Sequence, residues 1–508
     1  METPSAAPVV PQPEIEGLTV RATRGMIWSS LSLVTRQIAQ LIVTIILMRL
    51  LEPGAFGLVE IAGIFNSIIF IVTDLGISGA IIQRKELDAE HLDSVYWLNI
   101  VVGALIFALV ALVVSPLVAG LYRLPLLRPV MVVASLPLLI GPWGGPQRQL
   151  VQRTLRFSRL AMLEVAAALV GGLTSVVLAV QGFGVWSIVI GPVVSSLLSV
   201  IIAWWLTPWR PGLRFRWSAV RDMMRFGTGM MGFSLVNYLG ANIDFLVIGR
   251  TLGGTLLGLY TFAFDWGTIT YNRLTPFIGQ VIFPTFSSVQ DDDARLRRGY
   301  VRLLTYISLI SFPIMTGLIV VAPEFAGVVF PKYVAAVTPL RILCCVGMIY
   351  SINTFSGSVL MSKGRTDLLF RISWVRLFGF GLAVLIGVRY GLIGVALADL
   401  VYSSLTIWFF QWIAGRLIGL SLRDFASAVL PSALMALTMG LATLAWKLWL
   451  SRWLGLAAAP TLALTIAFGG LATLAAGWLF RRRELGELAQ MLAQAVLPYR
   501  RELRRRFG

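Results

Sequence analysis

Histidine occurs once in 508 residues, at position 91, and cysteine twice, as the adjacent pair Cys344-Cys345. A single imidazole excludes a histidine-based metal cluster and leaves a Ser-His-Asp triad poorly provided for. Neighbouring cysteines on a helix point in different directions, so they make no disulfide framework and read as small core residues. Charge is also scarce. Only 13% of the residues are charged, against about 25% in soluble globular domains. No G-x-x-x-x-G-K-[ST] run occurs, which excludes ATP hydrolysis at a P-loop. Long polar loops are missing too, and the fifth and sixth expected spans are joined by little more than Gln181-Gly182-Phe183-Gly184. That leaves no room for an outer catalytic domain and argues against a polysaccharide polymerase or ligase. Neither metal nor cofactor is expected, and the chain is read as a non-enzyme.

Apolar residues make up 57% of the chain, in runs that repeatedly reach the roughly 20 residues needed to cross a bilayer. The expected fold is all-α, a polytopic membrane protein with about fourteen transmembrane helices. The spans fall near 25–50, 55–82, 95–120, 129–150, 160–181, 183–206, 228–250, 255–284, 301–322, 335–361, 367–388, 391–414, 425–450 and 458–480. Residues 1–24 carry prolines and Glu2, Glu14 and Glu16 ahead of any apolar core. They read as a disordered cytoplasmic tail, not a signal peptide. With the N-terminus inside, 30 of the 42 Lys and Arg residues fall on the cytoplasmic side, nine on the other and three within spans. The positive-inside rule then puts both termini in the cytoplasm. The same placement accounts for the net charge of +18 without nucleic acid. The expected location is therefore a membrane, crossed many times.

The chain repeats itself. Arg49 and Gly57, in R-L-L-E-P-G-A-F-G-L, match Arg250 and Gly258, in R-T-L-G-G-T-L-L-G-L, at a constant offset of 201; Gly184-Val185 resembles Gly394-Val395 at an offset of 210. Two six-helix lobes, 25–206 and 228–414, are therefore expected, related by a pseudo-two-fold axis along the membrane normal. Two additional helices follow in 415–480. The joint at 207–227, rich in Trp and Arg, reads as an interfacial cytoplasmic linker helix. The segment 481–508, with Leu485, Leu488, Leu492 and Val496 on one face, reads as a basic amphipathic cytoplasmic tail lying on the membrane.

Polar residues inside the spans mark the expected site. Ser29, Ser32, Arg36, Gln40 and Thr44 recur at steps of three and four, one face of the first helix. An arginine at that depth costs on the order of 3 kcal/mol unless it meets water or protein, so this helix should line a polar cavity. Asn237 stands at the repeat position of Arg36. The second span carries Glu60, Ser67 and Asp74, the seventh Ser234, Asn237 and Asp244, and the eighth Thr261, Asp265, Thr268, Asn272 and Thr275, flanked by Arg273. Arg36, Gln40, Asn237, Asn272 and Arg273 are the candidate substrate contacts, since guanidinium forks match phosphate oxygens. Glu60, Asp244 and Asp265 either bind Na+ or H+ or pair with the arginines. Asp291-Asp292-Asp293 in a basic loop reads as a solvated acidic cluster ahead of a nucleotide-sugar site. Prolines within spans, among them Pro137, Pro142, Pro146 and Pro313, kink helices with or without a moving role.

Several stretches resemble a known family. Gly25-Met26-Ile27-Trp28-Ser29 and Arg49 to Leu58 are similar to the opening of Wzx-type polysaccharide flippases, in the colanic-acid-exporter-like branch. So are Asp74 to Arg84, Trp97-Leu98-Asn99, Gly182 to Ser187 and Pro284-Thr285-Phe286-Ser287. That family lies in the multidrug/oligosaccharidyl-lipid/polysaccharide exporter superfamily. The resemblance implies alternating access and movement of undecaprenyl-diphosphate-linked oligosaccharide repeat units across the inner membrane, for exopolysaccharide or lipopolysaccharide synthesis. It implies membrane lipids, and a polysaccharide polymerase or glycosyltransferase, as partners. Related lipid II flippases hold the diphosphate with cavity arginines, the part that Arg36 and Arg273 would play. The alternative is a cation-coupled multidrug-type exporter working through Asp244, Asp265 or Glu60.

Overall fold

A computed structural model describes residues 18–73, 89–153, 157–216 and 228–507. Every regular element among the described residues is helical. Twelve stretches among them are long and apolar enough to cross a membrane. The expected count of fourteen is not reproduced on those criteria, for two local reasons. The expected eighth span is broken at Thr268 into two helices, and 367–388 and 391–414 run on with only the 3-10 turn Val388–Tyr390 between them.

The chain divides into two compact units, the first comprising residues 1–261 and 373–381 and the second 262–372 and 382–508. In the first, α1 (Leu18–Leu50), α2 (Pro53–Thr73) and α3 (Ala89–Leu109) come first. A π-helical stretch, Val110–Val114, leads from α3 into α4 (Ser115–Tyr122). Then come α5 (Leu127–Ile140), the 3-10 turn Gly141–Gly144 and α6 (Gly145–Arg153). Next are α7 (Phe157–Val180), α8 (Val185–Leu206) and α9 (Thr228–Thr251). The helix α10 (Gly254–Gly267) begins in this unit and ends in the second. Gly182 and Gly184, both at positive φ, make the tight α7–α8 turn that only glycine forms without strain.

Helix α1 lies against α7. A Cβ on Gly172 would stand 2.7 Å from Val43 Cγ2, so glycine is what lets the two backbones approach. The crossing of α2 and α10 is tighter still. A Cβ on Gly57 would fall 1.9 Å from the Gly254 carbonyl oxygen, and one on Gly258 would fall 1.8 Å from that of Pro53. These four residues are repeat mates, 53 with 254 and 57 with 258. The contact is thus reciprocal, as a two-fold axis through the crossing requires.

The expected linker helix at 207–227 is not what the described part shows. Residues 207–216 form no helix, and 217–227 lie outside the described residues. Pro208 and Pro211 work against helix here, and α3 supplies other partners. Asp93 Oδ1 accepts from the Gly212 N–H at 2.9 Å, Ser94 Oγ from Arg216 N at 2.8 Å, and Trp97 Nε1 donates to the Gly212 carbonyl at 2.8 Å.

The second unit holds α11 (Ile269–Ser288), α12 (Asp293–Val329), α13 (Val337–Asn353), α14 (Phe355–Ser362), most of α15 (Thr366–Gly387), α16 (Gly391–Ile418), α17 (Leu422–Trp453) and α18 (Ala458–Phe507). A core of Leu296, Tyr300, Leu304, Phe355, Val359 and Ala414 joins α12, α14 and α16. The last two helices are fastened along α12. Lys447 Nζ lies 2.7 Å from Glu324 Oε2 towards one end, and Ser308 Oγ lies 3.0 Å from Ser432 Oγ in the middle. Arg302 Nη2 reaches Glu487 Oε2 at 2.6 Å towards the other.

Helix α18 breaks its backbone geometry at Arg481, where φ is −142° and ψ 38°. The buried Arg481 guanidinium donates to the carbonyls of Ser427 and Ala428, at 3.1 and 2.5 Å, and meets Glu484 at 2.7 Å. Arg481→Met keeps the bulk and removes these bonds. We expect it to cost about 2 kcal/mol, the scale for hydrogen bonds to a charged group. Thermal unfolding of the purified full chain in detergent reads this, and an unchanged midpoint would show that Arg481 does not hold the tail.

Candidate functional site

The α1–α7 contact sets the geometry of the first unit's polar site. Seven and eight residues separate Val43 from Arg36 and Gly172 from Glu164, two helical turns on each side, so Arg36 and Glu164 face each other. Arg36 Nη1 lies 3.2 Å from Glu164 Oε2. The other carboxylate oxygen, Oε1, lies 3.4 Å from Arg148 Nη2 on α6. Two guanidiniums therefore share one carboxylate, and the group carries one net positive charge. The arginine side chains remain 39% and 45% exposed and that of Glu164 26%. Ion pairs this open contribute about 0–1 kcal/mol, too little to be kept for stability alone. They do offset the cost of placing Arg36 at this depth.

The remaining candidates fall in both units. Gln40 on α1 and Asn237 on α9 are exposed. Asp244, 1% exposed, accepts from Tyr260 O–H at 2.8 Å through Oδ2 and has Arg376 of α15 as its charged neighbour. Glu60 is a charged neighbour of Tyr238, which hydrogen-bonds Ser67. Asp74 lies outside the described residues. In the second unit, Asp265 on α10 is exposed and has Arg273 of α11 as its charged neighbour. Asn272 Nδ2 donates to Thr268 Oγ1 at 2.9 Å. Arg36 and Arg273 thus belong to different units. The acidic cluster is structural in two of its three members, Asp292 capping α12 by accepting from Arg295 N and Asp293 pairing with Lys363.

Two carboxylates escaped the sequence reading. Glu164 is the lone acid of α7 and Asp399 that of α16; Asp399 is fully buried and accepts from Tyr350 O–H at 2.9 Å. The available signal was the one applied to Arg36, that a charged group within an apolar span demands a partner. Among the described residues, no group of three or more His, Cys, Asp and Glu side chains is placed to hold a metal ion.

A paired-arginine site with one net positive charge suits an anionic solute, and comparison with known proteins specifies the family. The model of a polysaccharide biosynthesis protein family matches residues 46–337, more than half of the chain. The chain belongs to this polysaccharide biosynthesis family. A lipopolysaccharide biosynthesis protein of Escherichia coli (strain K12), WzxC, is 32% identical over 413 residues, covering 80% of this chain and 84% of that one. The teichuronic acid biosynthesis protein TuaB of Bacillus subtilis (strain 168) is 30% identical over 464 residues, covering 89% and 94%. Among solved structures, the lipid II flippase MurJ in an inward closed conformation superposes with a TM-score of 0.69 at 13% identity, over 90% of this chain and 100% of that one. An inward-facing multidrug resistance MATE transporter of the MOP superfamily does so with 0.58 at 17% identity, over 76% and 96%. The family's fold is therefore that of the MOP superfamily, and the Wzx-type resemblance and the polytopic all-α fold both hold.

Proposed function

We propose that this protein is a flippase that moves undecaprenyl-diphosphate-linked oligosaccharide repeat units across the bacterial inner membrane, with both termini in the cytoplasm. The observation that carries the site is the Arg36–Glu164–Arg148 group, a partly exposed, net positive pair of guanidiniums sharing one carboxylate. Each fork presents donors that fit diphosphate oxygens. Glu164 is the resident counter-anion when no substrate is bound, and the incoming diphosphate takes its place on the arginines. The reading also takes in Gln40 and Asn237 on exposed helix faces as contacts for the neutral sugars, and Arg273 with Asn272 as substrate contacts in the second unit. Asp244, with Tyr260 and Arg376 around it, and Asp265, beside Arg273, serve as charge partners. The relatives' names support the substrate class, and they include a succinoglycan biosynthesis transport protein. No chemical step is assigned to the chain. A polymerase or glycosyltransferase would act on the lipid-linked unit before or after it.

Reconstitution of the full chain into liposomes tests this. A fluorescent lipid-linked oligosaccharide is expected to become accessible to an external enzyme in a protein-dependent manner, while a multidrug-type cation is not moved. Cation efflux with no movement of the lipid-linked sugar would replace this reading with that of a drug exporter.

A further inference from the structure

Beside Arg148, within the first unit, lies a half-open slot of about 310 Å3. Asn99, Val102, Gly103 and Ile106 form one wall, at the spacing of a single face of α3. Pro137 and Leu138 of α5, Gly141 and Pro142 of the 3-10 turn, and Gly145, Arg148 and Gln149 of α6 form the other, with Phe70 of α2 at the side. The slot is two-ended by chemistry. Asn99, Arg148 and Gln149 are its polar groups, and Gln149 Oε1 is buried with no hydrogen-bond partner. Phe70, Val102, Ile106, Pro137 and Leu138 are apolar. No carboxylate lines it, although Glu164 touches Arg148 from outside.

Helix breaking makes the space. Pro142 and Pro146 interrupt the α5–α6 run, and the 3-10 turn between them tightens the chain. Gly103 lets α3 close onto the other wall, where a Cβ would come within 2.8 Å of the Leu138 carbonyl. Gly141 and Gly145 do the reverse: a Cβ on either would meet nothing within 4 Å. Both have ordinary helical backbone angles, with φ −55° and −58°. Each stands directly before a proline, where a Cβ in the helical conformation would crowd the ring, so glycine eases the backbone at both positions and its missing side chain leaves the slot open.

We infer that this slot is a binding subsite for the phosphate headgroup and the first segment of the chain of a polyprenyl lipid. The inference rests on the function proposed above, and names where the carrier lipid is held while its sugars lie elsewhere. Charge complementarity puts the phosphate on Arg148 with Asn99 and the Gln149 amide, and the apolar wall takes the hydrocarbon. The volume sits at the low end of ligand pockets, about 300–1,000 Å3, enough for a headgroup and short chain segment but not for an oligosaccharide. Asn99 belongs to the Trp97-Leu98-Asn99 stretch that had no role in the arginine site.

The test uses the full chain in detergent, with undecaprenyl phosphate as probe, and undecaprenol and phosphatidylglycerol as comparisons, followed by native mass spectrometry. Gly145→Leu should fill the slot, with some strain because it precedes Pro146, and Arg148→Gln should remove the charge. Each is expected to lower retention of undecaprenyl phosphate about tenfold, Arg148→Gln through the loss of one charge-assisted contact and Gly145→Leu by excluding the lipid, with thermal unfolding measured beside it to confirm folded protein. Undecaprenol should be retained poorly. Equal retention by Gly145→Leu and wild type would overturn the proposal, as would phosphatidylglycerol competing as well as the polyprenyl lipid, which would make the slot a site for bulk phospholipid. Val102→Phe, on the opposite wall and not ahead of a proline, provides a second filling variant should Gly145→Leu fail to fold. The liposome assay separates the two readings. If Gly145→Leu and Val102→Phe move lipid-linked oligosaccharide normally, the subsite falls and the flippase stands; if wild type moves none, the flippase reading itself falls.

Discussion

Arg36→Ala is expected to bring transport of lipid-linked oligosaccharide to background at normal protein abundance, while Glu164→Gln binds the lipid more tightly and turns over more slowly. The opposite signs follow from the shared carboxylate. Without Arg36 the site loses the charge-assisted fork, worth about 1.5–3 kcal/mol for a group of this kind, and the remaining Arg148–Glu164 pair is neutral. Diphosphate then has no net charge to meet. Without the Glu164 charge, both guanidiniums are freed from a competing anion. Displacing an exposed pair costs up to about 1 kcal/mol, so affinity should rise about fivefold. The same change leaves Arg36 without its counter-ion when the carrier is empty, which makes that state less favourable. The empty protein then returns slowly. Arg36→Lys keeps the charge and loses the fork, and partial activity is expected. Lipid binding measured beside liposome transport separates these outcomes. If Glu164→Gln lowers affinity and abundance together, Glu164 is only a structural partner of Arg36 and the displacement mechanism is wrong.

How much of this could be read from the sequence depends on whether local pattern or packing decided it. The polar stripe of α1 follows from helix periodicity, and the Gly182–Gly184 turn from residue type. The partner of each buried charge was not legible, because partners are chosen by which helices touch. Glu60, Asp244 and Asp265 were weighed against Arg36 and Arg273, yet Arg36 meets Glu164, and Arg376 is the charged neighbour of Asp244. Asp265 does have one of these arginines, Arg273, as its charged neighbour. Residues 207–216 depart from expectation for another reason: Trp and Arg content suggests an interfacial helix, but Pro208 and Pro211 work against one and α3 supplies Asp93 and Ser94 as acceptors instead. The slot beside Arg148 was invisible because it consists of missing side chains, and a glycine in an apolar run does not say whether it admits a helix, as Gly103 does, or leaves a gap, as Gly145 does.

The internal repeat was legible as a few matched letters, and the structure gives those letters a physical reason that can be tested at the same two residues. Gly57→Ala and Gly258→Ala are each expected to cost about 3 kcal/mol or more, the upper range for overpacking, and to remove most of the folded protein. The obstacles are backbone atoms. A Cβ on Gly57 would lie 1.9 Å from the Gly254 oxygen and 2.9 Å from its carbonyl carbon, and one on Gly258 would lie 1.8 and 2.5 Å from the corresponding atoms of Pro53. No rotamer change relieves such a clash, so α2 and α10 must move apart. That movement would also disturb Gly249, whose Cβ position is already 3.1–3.2 Å from Leu257, Tyr122 and Ile61. A loss of this size is a large share of the roughly 5–15 kcal/mol that holds a folded domain together. Gly63 is the control. It lies on the same helix with nothing within 4 Å of its Cβ position, and Gly63→Ala should be neutral or stabilise by up to about 1 kcal/mol through helix propensity. Membrane abundance and thermal unfolding of the three variants decide the matter. Equal losses at 57 and 258 are what a two-fold crossing demands, because each glycine makes its partner's contact. A large loss at one and none at the other would show that the matched letters are coincidence and that the crossing has no symmetry.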